Sequence, residues 1–176
     1  MNLTTTLLAA GIDLDQWSPD LGTKSVQDLQ VEIDTGETQL QSITGILTRV
    51  ITVVNITVRV EIGTQSFILV EDKQIFFTGA IRERGLKCLA EKVKNDEPPE
   101  IAARRALREE IGLNFERELI SIGDEVKQQS SPSYPGLSTQ YQLFNYQIVL
   151  AVADLNQIRF AEIQTGKMSL FTLEPI

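Results

Sequence analysis

Histidine is absent from this 176-residue sequence, and cysteine occurs once. The first absence excludes Ser-His-Asp and Cys-His catalysis and any histidine-ligated zinc site. It leaves carboxylate and metal chemistry as the main catalytic option. Cys88 cannot form an intrachain disulfide, gives no sign of an oxidising compartment, and without a histidine base reads as a buried structural thiol. Long apolar runs are missing too. The opening MNLTTTLLAAGIDLD has neither a charged leader nor enough apolar length for a signal peptide or membrane span, so the cytoplasm is the expected location. Positive charge is in deficit, with a net charge of −8. That balance argues against nucleic acid or anionic membrane as a partner, since both need an electropositive surface. Eight of the sixteen basic residues nevertheless lie between Arg82 and Arg108. They suit phosphate groups on a small ligand, or simply solubilise a loop and a helix.

A chain of 176 residues is most naturally one globular body with a full mixed core. Residues 1–40 read as a helical N-terminal extension and 41–176 as the main domain. Leu7, Leu8, Ile12, Leu14 and Trp17 suggest one short helix or a packed arm. Ser25 and Asp28 form a capping-box pattern for a second helix carrying Leu29 and Ile33, closed by Gly36. Ile56, Val58, Val60 and Ile62 then alternate with polar residues, the two-residue period of a half-buried strand, after a β-prone run from Leu47 to Val54. Phe67–Val70 and Ile75–Phe77 read as a hairpin turning at Glu71-Asp72-Lys73. A short strand at Leu119–Ile122 leads to a polar loop over 124–140, where long loops often carry function. Tyr141–Val152 is a strand, Phe160–Ile163 the start of a closing helix, and Met168–Leu173 a last strand.

The stretch that organises the rest is EKVKNDEPPEIAARRALREEIGL, from Glu91 to Leu113. Pro98-Pro99 and Gly112 bound a short helix, because proline fits the first turn and glycine the left-handed C-terminal position. Ala103, Leu107 and Ile111 form its core stripe. With each residue advancing about 100°, Glu109 and Glu110 fall on a neighbouring face with Ala106 between them in angle. Two adjacent carboxylates suggest plain solvation or a hard cation that takes oxygen ligands.

This stretch resembles a Nudix box, whose pattern is Gly, five residues, Glu, seven residues, Arg-Glu-aliphatic-any-Glu-Glu-any-Gly-aliphatic. Glu97, Arg105, Leu107, Glu109, Glu110, Gly112 and Leu113 stand at the matching positions. Glu91 stands where the pattern opens with glycine, and Ala106 where a glutamate follows the arginine. The resemblance implies an α/β (α+β) fold, an α/β/α sandwich with a mixed sheet. It also implies Mg²⁺ or Mn²⁺ held by Glu109 and Glu110, with Glu97 and Arg105 clasping loop to helix. In the family the glutamate missing at Ala106 joins the metal cluster and in some members helps activate water, so the water-activating base is unassigned, with Glu125 or Asp124 as stand-ins. The Ser133-Tyr134-Pro135-Gly136-Leu137 segment is similar to Pro-Gly loops of ADP-ribose-type members, although Ser138, Thr139 and Gln140 follow where an acidic residue is common.

The expected activity is hydrolysis of a nucleoside diphosphate linked to another moiety, with Arg82 and Arg84 on the diphosphate and Tyr134 either stacked on a base or packed in the core. The alternative is a Nudix-fold protein that has lost hydrolysis and binds a nucleotide or a protein partner. The N-terminal extension offers an interface for a homodimer.

Overall fold

A computed structural model describes residues 2–114 and 118–176. Helix α1 (Leu3–Ala9) is followed by two 3₁₀ turns, Leu14–Gln16 and Pro19–Leu21, where the sequence pattern predicts a single helix or arm. Helix α2 (Val26–Asp34) starts on the capping box: Ser25 Oγ accepts from the Asp28 N–H at 3.2 Å, and the Asp28 carboxylate accepts from the Ser25 N–H at 2.8 Å. Gly36, at φ 74°, lies just beyond its end.

Strand β1 (Gln39–Ile43) pairs antiparallel with the first part of β2 (Ile46–Ile62) through a turn at Thr44 and Gly45, both at positive φ. The two β-prone runs in 47–62 are therefore one strand of 17 residues. Strand β3 (Gln65–Phe76) is continuous as well, with no hairpin turn at its polar centre. Asp72 is instead the extra residue of a β-bulge, seen as a register shift between Glu71 and Lys73 against both β4 (Ile81–Leu86) and β9 (Lys167–Pro175). A bulge absorbs a polar interruption without ending the strand. It also turns Glu71 and Gln74 to the same side, so that Gln74 Nε2 donates to Glu71 Oε1 at 2.8 Å.

After β5 (Leu89–Lys92) comes α3 (Pro99–Ile111), then β6 (Ile120–Ser130), β7 (Ser138–Ala151), a 3₁₀ turn at Val152–Gln157, and β8 (Ala161–Gln164) paired to β9. Most of the expected 124–140 loop is therefore strand, and only 131–137 connects β6 to β7. Every residue of β6 is exposed. The predicted strand at Leu119–Ile122 marks its start; from Asp124 on, a strand solvated on both faces needs no apolar alternation, so composition there does not separate it from a loop. Phe160–Ile163 likewise enters β8 and does not begin a helix.

These elements make a mixed α+β fold whose described residues fall into two compact units. The first comprises 2–53, 92–97 and 124–143, and the second 54–91, 98–114, 118–123 and 144–176. In the first, α1 packs on α2, and Leu7, Ile12, Trp17 and Leu29 share a core with Tyr134 and Leu137. The N-terminal helices thus belong to a body that also includes later strands. In the second, β3 lies beside β9 along most of its length, pairs with β2 at Arg59–Ile62 and with β4 beyond, and β9 carries β8. Among the described residues no helix is long and apolar enough to cross a membrane.

Candidate active site

Helix α3 presents the carboxylates. Its buried side is Ala102, Ala103, Ala106, Leu107 and Ile111, which contains the predicted stripe and adds the two small alanines beside it. Pro99 occupies the first turn, and the Gly112 N–H closes on Arg108 O and Leu107 O from a left-handed position at φ 74°. The helix end is tied by Arg159, whose backbone N–H donates to Ile111 O at 2.7 Å and whose Nη2 donates to Arg108 O and Glu109 O at 3.1 and 3.0 Å. A positive group at helix carbonyls satisfies the orphan acceptors and complements the dipole. A Cβ added at Gly112 would stand 2.6 Å from Arg159 Nε. Gly112→Ala should therefore lose about 1–2 kcal/mol in urea denaturation, from backbone strain and displacement of this cap.

Angular position decides how the two glutamates are used. Ala106 is fully buried, so Glu110 on one side of it is drawn into the structure, whereas the Glu109 side chain remains 53% exposed. Glu110 Oε1 is buried with no hydrogen-bond partner among the described residues. Burial first, and then the charges of Glu162, Glu91 and Glu71, raise its carboxyl to about 8, with Lys167 opposing them. The surrounding pocket holds about 210 Å³. From the sheet it is lined by Glu71 and Gln74 of β3, Arg84 of β4, Ala90 and Glu91 of β5, and Glu162, Gln164, Lys167 and Ser169 of the β8–β9 hairpin.

Most of these groups are already engaged. Glu71 accepts from Gln74 Nε2, from Ser169 Oγ at 3.0 Å and from Arg84 Nε at 3.2 Å. Glu91 pairs with Arg105 Nη1 at 3.1 Å, and Arg105 reaches Glu109 more loosely at 3.8 Å. The residue standing in place of the motif's opening glycine is thus the partner of the motif's arginine. Glu162 and Lys167 make no hydrogen bond or ion pair among the described residues.

The other sequence-derived candidates lie as follows. Glu97 accepts from the Lys94 N–H at 3.1 Å within the turn before α3. Arg84 lines the pocket, while Arg82 is exposed on β4 and does not. Glu125 is exposed on β6 in the first unit and pairs with Lys127 at 3.0 Å. Tyr134 is fully buried, its ring 5.0 Å from that of Trp17 and its hydroxyl donating to Glu32 at 3.1 Å, so its surface is spent on packing. Burial, and then Glu110, push the Cys88 thiol up, which keeps it protonated and unreactive.

Glu71, Glu162 and Lys167 carried no signal as site residues. Glu71 sat in what reads as a turn and Glu162 in what reads as a helix start. Only the bulge in β3 and the pairing of Glu162 with Ser169 across the hairpin bring them to one face.

A divalent cation is the group the motif implies. Hard oxygen donors, a buried carboxylate oxygen without a partner and a surplus of negative charge are what such an ion requires. Among the described residues no three acidic, cysteine or histidine side chains form a ready metal cage. Mg²⁺ seldom has one, since it keeps several waters and uses one or two carboxylates together with substrate phosphates. The residues present fit the ion on those terms.

No family model matches the sequence, and no curated protein does. The structure is similar to several solved Nudix structures. The NUDIX domain of Shewanella oneidensis NrtR, solved with ADP ribose, is 11% identical with a TM-score of 0.48, over 70% of this chain and 71% of that one. A mutT/nudix family protein from Listeria innocua is 20% identical with a TM-score of 0.44, over 70% and 77%. The C. elegans Ap4A hydrolase is 12% identical with a TM-score of 0.36, over 69% and 80%.

Proposed function

We propose that this chain is a Nudix-type hydrolase that uses Mg²⁺ or Mn²⁺ to cleave a nucleoside diphosphate linked to another moiety. The observation that carries the reading is the partnerless buried oxygen of Glu110, at the end of a helix with Nudix-box spacing and over a pocket rich in carboxylates. Glu110 and Glu109 would hold the cation. When bound, the cation would polarise a phosphoryl oxygen and acidify water.

The residues around it divide the remaining work. Arg105 holds Glu91 and steadies α3 over the sheet. Arg84, Gln74 and Ser169 fix Glu71 in a single orientation, and a fixed carboxylate next to a reaction centre needs no reorganisation during the reaction. Among the described residues Glu162 has no competing partner, so we take it as the carboxylate that accepts a proton from the attacking water, the task that Ala106 cannot perform. Glu162→Gln should lower kcat by about 10²- to 10⁴-fold while sparing Mn²⁺ binding, read by single-turnover assay and by Mn²⁺ electron paramagnetic resonance. An unchanged kcat would remove Glu162 from the mechanism.

The test of the whole reading is product analysis by mass spectrometry with Mn²⁺ against ADP-ribose, nucleotide sugars, dinucleoside polyphosphates and NADH. Metal-dependent cleavage at a diphosphate supports it. A second reading, a catalytically silent nucleotide-binding protein, is favoured by the full burial of Ala106, which leaves the helix one carboxylate short. Nucleotide binding without turnover across that panel would decide for it.

A further inference from the structure

The pocket has an unusual charge arrangement. Five carboxylates line it, from Glu71, Glu91, Glu109, Glu110 and Glu162, against two cations, Arg84 and Lys167. A diphosphate approaching that surface is repelled, and a single divalent ion bound at Glu109 and Glu110 offsets only part of the repulsion. A protein cation at the phosphate oxygens would offset the rest.

Arg84 is already paired. Its Nε is given to Glu71, a carboxylate held on its other oxygen by Gln74 and Ser169, so part of its charge is offset by that carboxylate and its position is fixed by a buried network. Arg105 is committed to Glu91 and does not line the pocket. Arg108 is exposed, no closer than 3.8 Å to Glu109, and does not line it either.

Lys167 differs from all three. It is the first residue of β9, directly after Gly166 at φ 85°, and it pairs across the hairpin with Gln164 and across the sheet with Phe76. Side chains two apart on a strand share a face. Lys167 therefore lies on the same side as Ser169, and its partner Gln164 on the same side as Glu162, which is the pocket side. The opposite side carries Ile75, Ile163 and Met168, mutual partners in a single apolar row. Register thus fixes which way Lys167 faces. It is half-buried, yet makes no hydrogen bond or ion pair among the described residues, although its charge acts on Glu110. A lysine left unpaired beside that many carboxylates is available for an incoming anion.

We propose that Lys167 is the diphosphate-anchoring residue, its Nζ donating to phosphate oxygens of a nucleoside diphosphate held beside Glu109 and Glu110. This rests on the hydrolase reading above. A flexible ammonium is a point charge, so Lys167 selects for anionic charge at that position and not for one phosphate geometry.

The experiment uses the full chain with Mn²⁺ and the non-hydrolysable probe α,β-methylene-ADP. Mn²⁺ binding without nucleotide is read by electron paramagnetic resonance, and probe binding at saturating Mn²⁺ by titration calorimetry. Lys167→Met should weaken the probe about 10- to 100-fold, the range expected for losing a charged hydrogen bond. It should leave Mn²⁺ affinity equal or tighter, because a positive charge near Glu110 has gone. Lys167→Arg should restore most probe binding, and Lys167→Glu should lose more than Lys167→Met. Thermal melts of each variant exclude misfolding. Equal probe affinity in wild type and Lys167→Met overturns the proposal while leaving the hydrolase reading intact. Parallel loss of Mn²⁺ and probe affinity in Lys167→Met also overturns it, by showing a structural role. A wild-type protein that binds neither Mn²⁺ nor probe overturns both this proposal and the reading beneath it.

Discussion

Glu32→Gln should destabilise the protein by about 3–5 kcal/mol, the cost of leaving a buried cation without its counter-charge. Glu32 is buried on α2, and its carboxylate gathers five polar groups of the first unit. Lys24 Nζ reaches Oε1 at 2.6 Å and the Tyr134 hydroxyl donates to the same oxygen at 3.1 Å. Arg49 Nη2 and the Thr38 hydroxyl donate to Oε2, and Lys92 Nζ stands 3.5 Å from it. Arg49 is only 4% exposed, its guanidinium 4.8 Å from the Tyr134 ring centre and its Nε without a partner among the described residues. Glutamine keeps the shape and removes the charge, so Arg49 would remain desolvated with no anion to offset it. Burial alone would raise the Glu32 carboxyl, but the hydrogen bonds and charges of Lys24, Arg49 and Lys92 outweigh it and hold the group at about 2. The folded value lies below the ordinary 4.5, so this stabilisation is complete above about 4.5 and is lost as pH falls through about 2. Urea denaturation of the wild type should show stability falling across that window, and the Glu32→Gln curve should be flatter there. A loss below about 1 kcal/mol at pH 7 would mean that the cluster rearranges around the vacancy.

That cluster also marks where sequence reasoning stops. The capping box of α2, the ends of α3, its buried stripe and the position of Glu109 and Glu110 were legible, because each depends on local geometry and residues a few positions apart. Glu32 stands three residues after Leu29 and one before Ile33, at a spacing that places it on the helix's apolar side. A charge on an apolar side is a signal, but only its partners Arg49, Lys92 and Tyr134, from distant parts of the chain, give it meaning. Glu71 and Glu162 were hidden for a related reason. Their common face depends on a bulge and on cross-strand register, and neither leaves a trace in composition. Tyr134 admitted two readings in the sequence, ring on ligand or ring in core, and its contact with Trp17 and its hydrogen bond to Glu32 are the features that choose the core.

If Glu110 holds the cation as proposed, Glu110→Gln should abolish metal-dependent turnover, lowering kcat by about 10³-fold or more, since a bound metal supplies several kcal/mol of transition-state stabilisation. The substitution is nearly isosteric and removes an ionisable carboxyl from a site that Glu162, Glu91 and Glu71 already crowd. Its effect on stability should have the opposite sign. With a folded value of about 8 against an ordinary 4.5, the Glu110 carboxyl is held neutral in the metal-free protein at pH 7. Its contribution to stability is fully present below about 4.5 and is lost as pH rises through about 8, because the folded state must then carry a buried, unpaired charge. Glu110→Gln carries no such charge, so the metal-free variant should melt above wild type at pH 9 and close to it at pH 4. Adding Mn²⁺ should reverse the order, because an ion that binds only the folded state stabilises it by mass action and only the wild type has the carboxylate to take it. Mn²⁺ uptake by wild type should release a proton and tighten as pH rises toward about 8. Calorimetry in two buffers of different ionisation enthalpy measures that proton directly. If none is released at pH 7, or if Glu110→Gln binds Mn²⁺ as the wild type does, the cation is not held by Glu110. The same site that destabilises the empty protein at alkaline pH is, on this account, the one that a divalent cation relieves, and a penalty that disappears on binding adds to the affinity for the ion.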